Sequence, residues 1–444
     1  MIACLVVPVI AVGTASILQA PGELDKYGGW IGISARATGF FHVERLGERW
    51  WIIDPEGHAF VSVGVCNVSF WGDKVPATDH MPYNETCRKK YGDIQTWARA
   101  TIGRLKGWGF NTIGAWSNPQ TWDKGMAYTV NLNIGQRAGG SWLHGTFPNV
   151  FSPEFERIAD EVAKRACEPR ASDPYLVGYF SDNELRWGPD WRSKKHLVED
   201  FLALPANDPA KPQLIEFFTR QHTDIAGFNA AWGTSLGSFA HLAEPVVVEP
   251  GQGDAEARLR DCTAFQRLAA ERYFAICEAA IRKHDPNHLI LGCRFAGRSP
   301  PPVLEAIEGH ANIVSVNNYS PDAPVRLLHG VHQAVRVPLM VTEFSFKAMD
   351  SGLPNTKGAG RPVATQAERA DRFERYVTGI MQLPFVVGYH WFEYCDEPAE
   401  GRFDGENSNY GLVNINDEPW EALIERMTEV NRRIYDAARG PGGQ

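Results

Sequence analysis

The stretch Tyr175-Leu176-Val177-Gly178-Tyr179-Phe180-Ser181-Asp182-Asn183-Glu184 changes character in one step. It begins with apolar and aromatic residues around one glycine, the composition of a short strand buried on both faces. It then turns polar and ends on an Asn-Glu pair. A carboxylate placed where a buried parallel strand ends is how α/β barrels present reactive groups. A barrel needs more such strands, and chemistry at its mouth needs a second group.

Apolar runs recur on both sides of this stretch. Residues 58–67, 109–118 and 126–134 precede it, and residues 288–295, 312–319, 338–346 and 386–393 follow it. Helical patterns fall at residues 94–108, 153–168, 303–310 and 366–382. Eight β-rich runs alternating with helices predict an α/β fold, specifically a (β/α)8 TIM barrel. A doubly wound open sheet would want a G-x-G-x-x-G turn after an early strand, and the sequence has none. Upstream, residues 40–45 and 49–53 flank Leu46-Gly47-Glu48, a hairpin signal. Residues 1–57 therefore read as a small N-terminal β-rich extension packed on the barrel, and residues 58–439 as the barrel itself. Between strands four and five lies a long helical insertion, residues 189–287, with helices expected at 197–204, 212–231 and 255–284. The amphipathic segment 419–439 should close the bottom or side of the barrel, and residues 440–444 form a frayed tail.

The net charge of −9 over 444 residues leaves no basic excess to neutralise phosphates, which argues against nucleic acid as a ligand and suits a neutral substrate. The fourteen tryptophans suit stacking on sugar faces and equally suit a large core. The eight cysteines are dispersed, with no C-x-x-C pair and no zinc spacing, so they read as small buried hydrophobes. No metal and no cofactor is implied. Residues 1–20 are apolar but lack Lys and Arg and are broken by Pro and Gly, which fits neither a basic signal region nor a membrane span. They read as a signal remnant or a strand, and the cytoplasm is slightly favoured over secretion. The oligomeric state stays open, a homo-oligomer included.

The second carboxylate is Glu343, which follows the apolar Pro338-Leu339-Met340-Val341-Thr342. An ionisable group so deep in an apolar run is costly without a partner or a task. Either glutamate alone is equally a buried acid paired to an arginine. Together, at the ends of the fourth and seventh strands, they match glycosidic cleavage, which needs one protonated carboxyl and one ionised carboxylate. A separation of about 5 Å would give the retaining route. Asn183 is placed to bond a sugar 2-hydroxyl, and Tyr319 to donate to Glu343 and keep it ionised. Other strand-end residues expected at the mouth are Asn67, Trp116, Arg294, Asn318, His390 and Trp391. Trp391 is the expected aromatic platform under the sugar. Arg294 either neutralises Glu343 or braces a loop, Trp116 either lines the pocket or packs, and His390 supports. Asp396, Glu397, Asp404 and Glu406 form an acidic loop, either a solvated face or a set of sugar-hydroxyl contacts.

These motifs resemble those of clan A glycoside hydrolases, and more closely the β-agarase family numbered fifty. Residues 178–188 resemble that family's acid/base segment. Thr342-Glu343-Phe344-Ser345-Phe346, residues 366–372, His390-Trp391-Phe392-Glu393-Tyr394 and residues 401–410 resemble other parts of its barrel, as Thr38-Gly39-Phe40-Phe41 and Arg49-Trp50-Trp51 resemble the start of its catalytic unit. The resemblance covers most of the chain from about Asp25 onward and implies Glu184 as acid/base and Glu343 as nucleophile. Glu393 stands where the family pattern implies Gln, a difference that bears on which hydroxyls are read. The large carbohydrate-binding region typical of the family is not expected within these 444 residues. The expected function is a retaining, exo-acting β-glycosidase for β-galactosidic bonds in agarose-related oligosaccharides or polysaccharides. The alternatives are a β-glycosidase for another sugar, such as a β-glucoside, and a non-catalytic carbohydrate-binding barrel.

Overall fold

The computed structural model describes residues 24–249 and 251–439. The expectations for residues 1–20 and 440–444 lie outside those residues. Two sheets organise the chain. The first is antiparallel, with β1 (Trp30–Ser34), β2 (His42–Leu46), β3 (Arg49–Ile53) and β4 (His58–Phe60) in the order β1-β4-β3-β2. The expected hairpin is present: Leu46 pairs with Arg49, and Gly47 takes the turn at φ +61°.

The second sheet is parallel and has nine strands. They are β5 (Ser62–Val65), β6 (Thr112–Ile113), β7 (Ala127–Asn131), β8 (Leu176–Phe180), β9 (Leu289–Ile290), β10 (Phe295–Ala296), β11 (Val314–Asn317), β12 (Leu339–Phe344) and β13 (Val386–Trp391). Their spatial order is β10-β11-β12-β13-β5-β6-β7-β8-β9. The sheet is curled, and its two terminal strands, β9 and β10, are consecutive in the chain. Each apolar run of the sequence therefore yields a strand, and the fifth yields two. The first run also holds two strands rather than one. His58–Phe60 pairs with β3 in the antiparallel sheet, and Ser62–Val65 then opens the parallel one.

Strand alternation sorts the apolar residues into two layers. Ala127, Val177, Leu289, Ile313, Met340 and Val387 share one cluster, whereas Tyr128, Leu176, Ile290, Val314, Leu339 and Val386 belong to the other, with the helices. Ile52 and Phe60 of the antiparallel sheet, with Phe41 just before β2, join the first cluster and are fully buried. Each such side chain contributes roughly 1.5–3 kcal/mol on burial. The antiparallel sheet sits at the N-terminal ends of the parallel strands, where Trp50 N donates to Pro384 O at 2.7 Å and Arg49 Nη2 to Val386 O at 2.9 Å. The C-terminal ends stay open for a site.

The helices Ile94–Gly107, Pro153–Cys167, Pro301–Ala306 and Gln366–Met381 fall where the sequence places them. Three have capped starts, with Asp93, Ser152 and Thr365 accepting backbone N–H groups. Between β8 and β9 run Leu197–Leu202, Lys211–Gln221, Ile225–Trp232 and Ala255–His284. The single helix expected over 212–231 is two, because Asp224 caps a new start by accepting Gly227 N at 2.9 Å. The helix Pro82–Tyr91 was not anticipated, since PYNETCRKKY carries little apolar periodicity. The seven described cysteines are free and buried. No helix among the described residues is long and apolar enough to cross a membrane.

Candidate active site

A cavity of about 930 Å³ opens at the C-terminal ends of the parallel strands, and Glu184 and Glu343 both line it. Glu343 lies within β12, and Asn183-Glu184 lies just past β8. The backbone turns sharply where these strands end. Asn67, Trp116, Glu184 and Arg294 have φ of 52°, 60°, 47° and 51°. The left-handed region is tolerated by Asn but uncommon for the other three, and such conformations gather at functional sites. Glu184 is held in its turn by its N–H, which donates to Arg294 O at 3.1 Å.

Glu343 is almost completely buried and has two charge-stabilising partners. Arg294 Nη2 donates to its Oε1 at 2.5 Å, and the Tyr319 hydroxyl to its Oε2 at 2.8 Å. Burial nevertheless wins: it pushes the carboxyl up to about 7, Glu184's charge adds to the rise, and Arg294 and Tyr319 oppose it. Arg294 is itself fully buried, and its guanidinium lies 4.3 Å from the Trp116 ring centroid. The same guanidinium donates through Nε to Asn183 Oδ1 at 3.0 Å. One arginine thus ties Asn183, the neighbour of Glu184, to Glu343, so of its two expected roles the charge-neutralising one is realised.

Glu184 is half-buried and receives two donors. Trp142 Nε1 approaches Oε2 at 2.9 Å, and Asn317 Nδ2 approaches Oε1 at 3.0 Å. Neither donor was singled out from the sequence. Asn317 could have been, because Val314 and Val316 face the helices, so Ser315 and Asn317 face the opposite side. Asn318 also lines the cavity, but its Oδ1 is engaged by Ser320 N at 3.1 Å and by the Ser320 hydroxyl. Trp142 lies in the connection after β7, where no periodicity marks it. That connection is anchored by buried Asp182, which accepts Gly135 N, Gln136 N and the Tyr273 hydroxyl at 2.6, 3.1 and 2.6 Å.

Of the expected mouth residues, Asn67, Trp116, Asn183, Asn318 and Tyr319 line the cavity with the two glutamates. Trp391 does not, and the platform role is corrected. It is fully buried, donates Nε1 to Tyr410 O at 2.8 Å and packs edge-on to Phe344 at 5.5 Å. Alternation along β13 turns it to the helix side, and the next residue, Phe392, faces the cavity instead. His390 is also fully buried, with Nε2 2.9 Å from Ser62 Oγ, and burial pulls it down to about 3, so it stays neutral. Glu393 is buried and meets the cavity through Asn67, whose Nδ2 donates to it. The acidic loop is not a solvated face. Asp396 and Glu397 are buried, whereas Asp404 and Glu406 reach the cavity. Arg402 gathers Glu397, Asp404 and Glu406 at 3.2, 3.1 and 2.6 Å.

No family model matches the chain. β-Agarase B of Vibrio sp. (strain JT0107) is 29% identical to it over 495 residues, covering 95% of this chain and 51% of that protein. β-Agarase A of the same strain is 30% identical over 458 residues, covering 87% and 45%. The chain is homologous to β-agarases A and B of that Vibrio strain. It spans about half the length of these two curated relatives. The structure of an exo-β-agarase matches this chain with a TM-score of 0.83 at 25% identity, over 94% of this chain and 68% of that one. The agarase AgWH50C matches with 0.81 at 27% identity, over 94% and 68%. A β-galactosidase from the psychrophilic Marinomonas ef1 shares the fold, with a TM-score of 0.57 at 12% identity over 86% of this chain and 61% of that one.

Proposed function

We propose that this chain is a retaining, exo-acting β-glycosidase that cleaves β-galactosidic bonds in agarose-related oligosaccharides. The observation that carries this reading is the pair Glu184 and Glu343, on two strand ends, lining one cavity and linked through buried Arg294. The homology to β-agarases supports the substrate class, and the likeness to an exo-β-agarase supports exo action. We read the curled sheet as a closed (β/α)8 barrel in which β9 and β10 are two pieces of the fifth strand. Residues 189–287 are then its insertion, and the antiparallel sheet is its N-terminal cover.

In this mechanism Glu184 gives its proton to the leaving glycosidic oxygen while the ionised Glu343 attacks the anomeric carbon. A water, deprotonated by Glu184, then releases the sugar from Glu343. Arg294 and Tyr319 aim the nucleophile and stabilise its charge. Asn183, its carbonyl oxygen held by Arg294 and by Asn317 Nδ2 at 3.1 Å, keeps its nitrogen end for the sugar's 2-hydroxyl. Trp116 and Phe392 supply aromatic surface in the wall. The test is product analysis on agarose oligosaccharides. Short products of one size from the first minutes, with the anomeric configuration retained by proton NMR, support the proposal. Mixed long fragments would sink exo action, inversion would sink the double displacement, and turnover surviving Glu343→Ala would sink the assignment of the nucleophile. A panel of aryl β-glycosides tests the galactoside preference.

A further inference from the structure

Glu184 lies in residues 181–196, a stretch without helix or strand, yet both of its backbone polar groups are fixed from elsewhere. Its N–H donates to Arg294 O at 3.1 Å, and its carbonyl accepts Arg192 Nη1 at 2.9 Å. Arg192 does not line the cavity, and its side chain is only 4% exposed. The same Nη1 donates to Trp142 O at 3.0 Å. Trp142 in turn donates its indole N–H to Glu184 Oε2 at 2.9 Å. One guanidinium nitrogen therefore holds the backbone of the carboxylate and the backbone of the indole that grips it.

This link is braced on both sides. Arg192 Nε and Nη2 both donate to Asp190 Oδ2, at 2.9 and 2.6 Å, which holds the guanidinium in one orientation. Asp190 Oδ1 accepts Arg192 N at 2.7 Å and so fixes the turn that carries both residues. The exposed Trp191 ring covers the guanidinium at 4.2 Å. Trp142 sits in a short hairpin in which Ser141 and Thr146 exchange backbone bonds at 2.9 and 3.0 Å. Gly145 of that hairpin, at φ +62°, lets it lie against Arg192, because a Cβ there would stand 2.8 Å from Arg192 Cβ. Glu184 itself has φ of 47°, a conformation that a glutamate keeps only when its surroundings impose it.

We propose that Arg192 is a positioning residue for proton transfer by Glu184. It aims the carboxyl at the leaving glycosidic oxygen by pinning the Glu184 backbone and the Trp142 indole to each other. The inference rests on Glu184 being the acid. In that step the proton passes from Glu184 to the departing oxygen as its bond to the anomeric carbon breaks and Glu343 bonds that carbon. A misaimed acid slows the departure of groups that need the proton and spares those that do not.

The test compares kcat/KM on a phenyl and a dinitrophenyl β-galactoside for the wild type, Glu184→Gln, Arg192→Ala and Trp142→Phe. Arg192→Ala should lose about a hundredfold on the phenyl glycoside, the cost of a misplacement by about 1 Å, and much less on the dinitrophenyl one. Trp142→Phe keeps a ring but lacks the N–H, and should show the same split at smaller size. Millimolar guanidinium chloride should restore part of the phenyl-glycoside rate of Arg192→Ala, and the same concentration of NaCl should not. If Arg192→Ala does not fold, Arg192→Lys replaces it; its single ammonium keeps the charge but loses the fork that spans Asp190 and both carbonyls, and the same split is expected. A merely structural role lowers both substrates equally. Equal losses in the Arg192 variant beside a split in Glu184→Gln overturn the proposal and leave the acid reading standing. Equal losses in Glu184→Gln overturn both.

Discussion

The titration of Glu343, the proposed nucleophile, gives the sharpest test of the site. Glu343 sits in a tug between burial, which resists its charge, and Arg294 and Tyr319, which favour it, with the balance at about 7. A nucleophile must be ionised, so activity is lost as pH falls through that value. With the carboxyl at about 7, roughly a tenth is ionised at pH 6 and roughly a hundredth at pH 5. The acid limb of kcat/KM, which reports the free enzyme, should therefore bend near pH 7 and fall tenfold per unit below it. Tyr319→Phe removes one hydrogen bond to the charged form, worth about 1.5–3 kcal/mol. That is about one to two pH units. The limb should move up by that amount while the plateau at high pH is largely kept. The assay is initial-rate hydrolysis of an aryl β-galactoside from pH 4 to 10, wild type against variant. A wild-type limb near 4.5 would mean that Arg294 outweighs burial. A limb that Tyr319→Phe leaves in place would refute the assignment of the titrating group to Glu343.

Glu184→Gln should lower kcat/KM by about 10²–10⁴ on substrates with poor leaving groups and much less on activated aryl glycosides, whose departure needs no proton; equal losses on both would count against the acid role. Trp391→Ala should cost about 3–5 kcal/mol of stability by denaturant unfolding, through the cavity it leaves; a conservative Trp391→Phe should leave KM near the wild-type value, and a large rise would restore the platform role. Asp182→Ala strands Gly135 N and Gln136 N, while the Tyr273 hydroxyl keeps Ser181 Oγ at 3.0 Å, so urea unfolding should show a loss of several kcal/mol, roughly 1–3 for each donor left unpaired. Arg294→Lys keeps the charge but loses the fork that reaches Asn183 and Glu343 together; kcat should fall about a hundredfold with a smaller change in Tm than Arg294→Ala.

Several parts of the site were legible because they depend on local order alone. Glu184 and Glu343 stand out as charges terminating apolar runs, and no partner is needed to see that. Asn67 and Tyr319 follow from the same rule. Trp391 shows where the rule fails. Strand alternation decides its face, and its two neighbours on either side differ in face, so naming one residue of His390-Trp391-Phe392 from the run alone is a matter of register. Trp142 and Arg402 come from connections that carry no period, and reach the cavity only because the chain folds back over the mouth. Asp396 and Glu397 read as either a solvated face or sugar-hydroxyl contacts, yet Asp396 is drawn inward to Asn409 Nδ2 at 2.8 Å, Gly411 N at 2.7 Å and Trp420 Nε1 at 2.9 Å.

The sequence by itself determined the alternation of apolar strand runs with helices and the two carboxylates at the ends of the runs that become β8 and β12. Periodicity, caps and the cost of a charge in an apolar run are properties of a few neighbouring residues, and a linear reading contains them. Only the tertiary structure decided that one buried arginine joins Asn183 to Glu343 and that Trp142 and Asn317 hold Glu184. Those contacts join residues up to 133 positions apart or set a pKa through burial, and burial exists only once the chain has closed around the group.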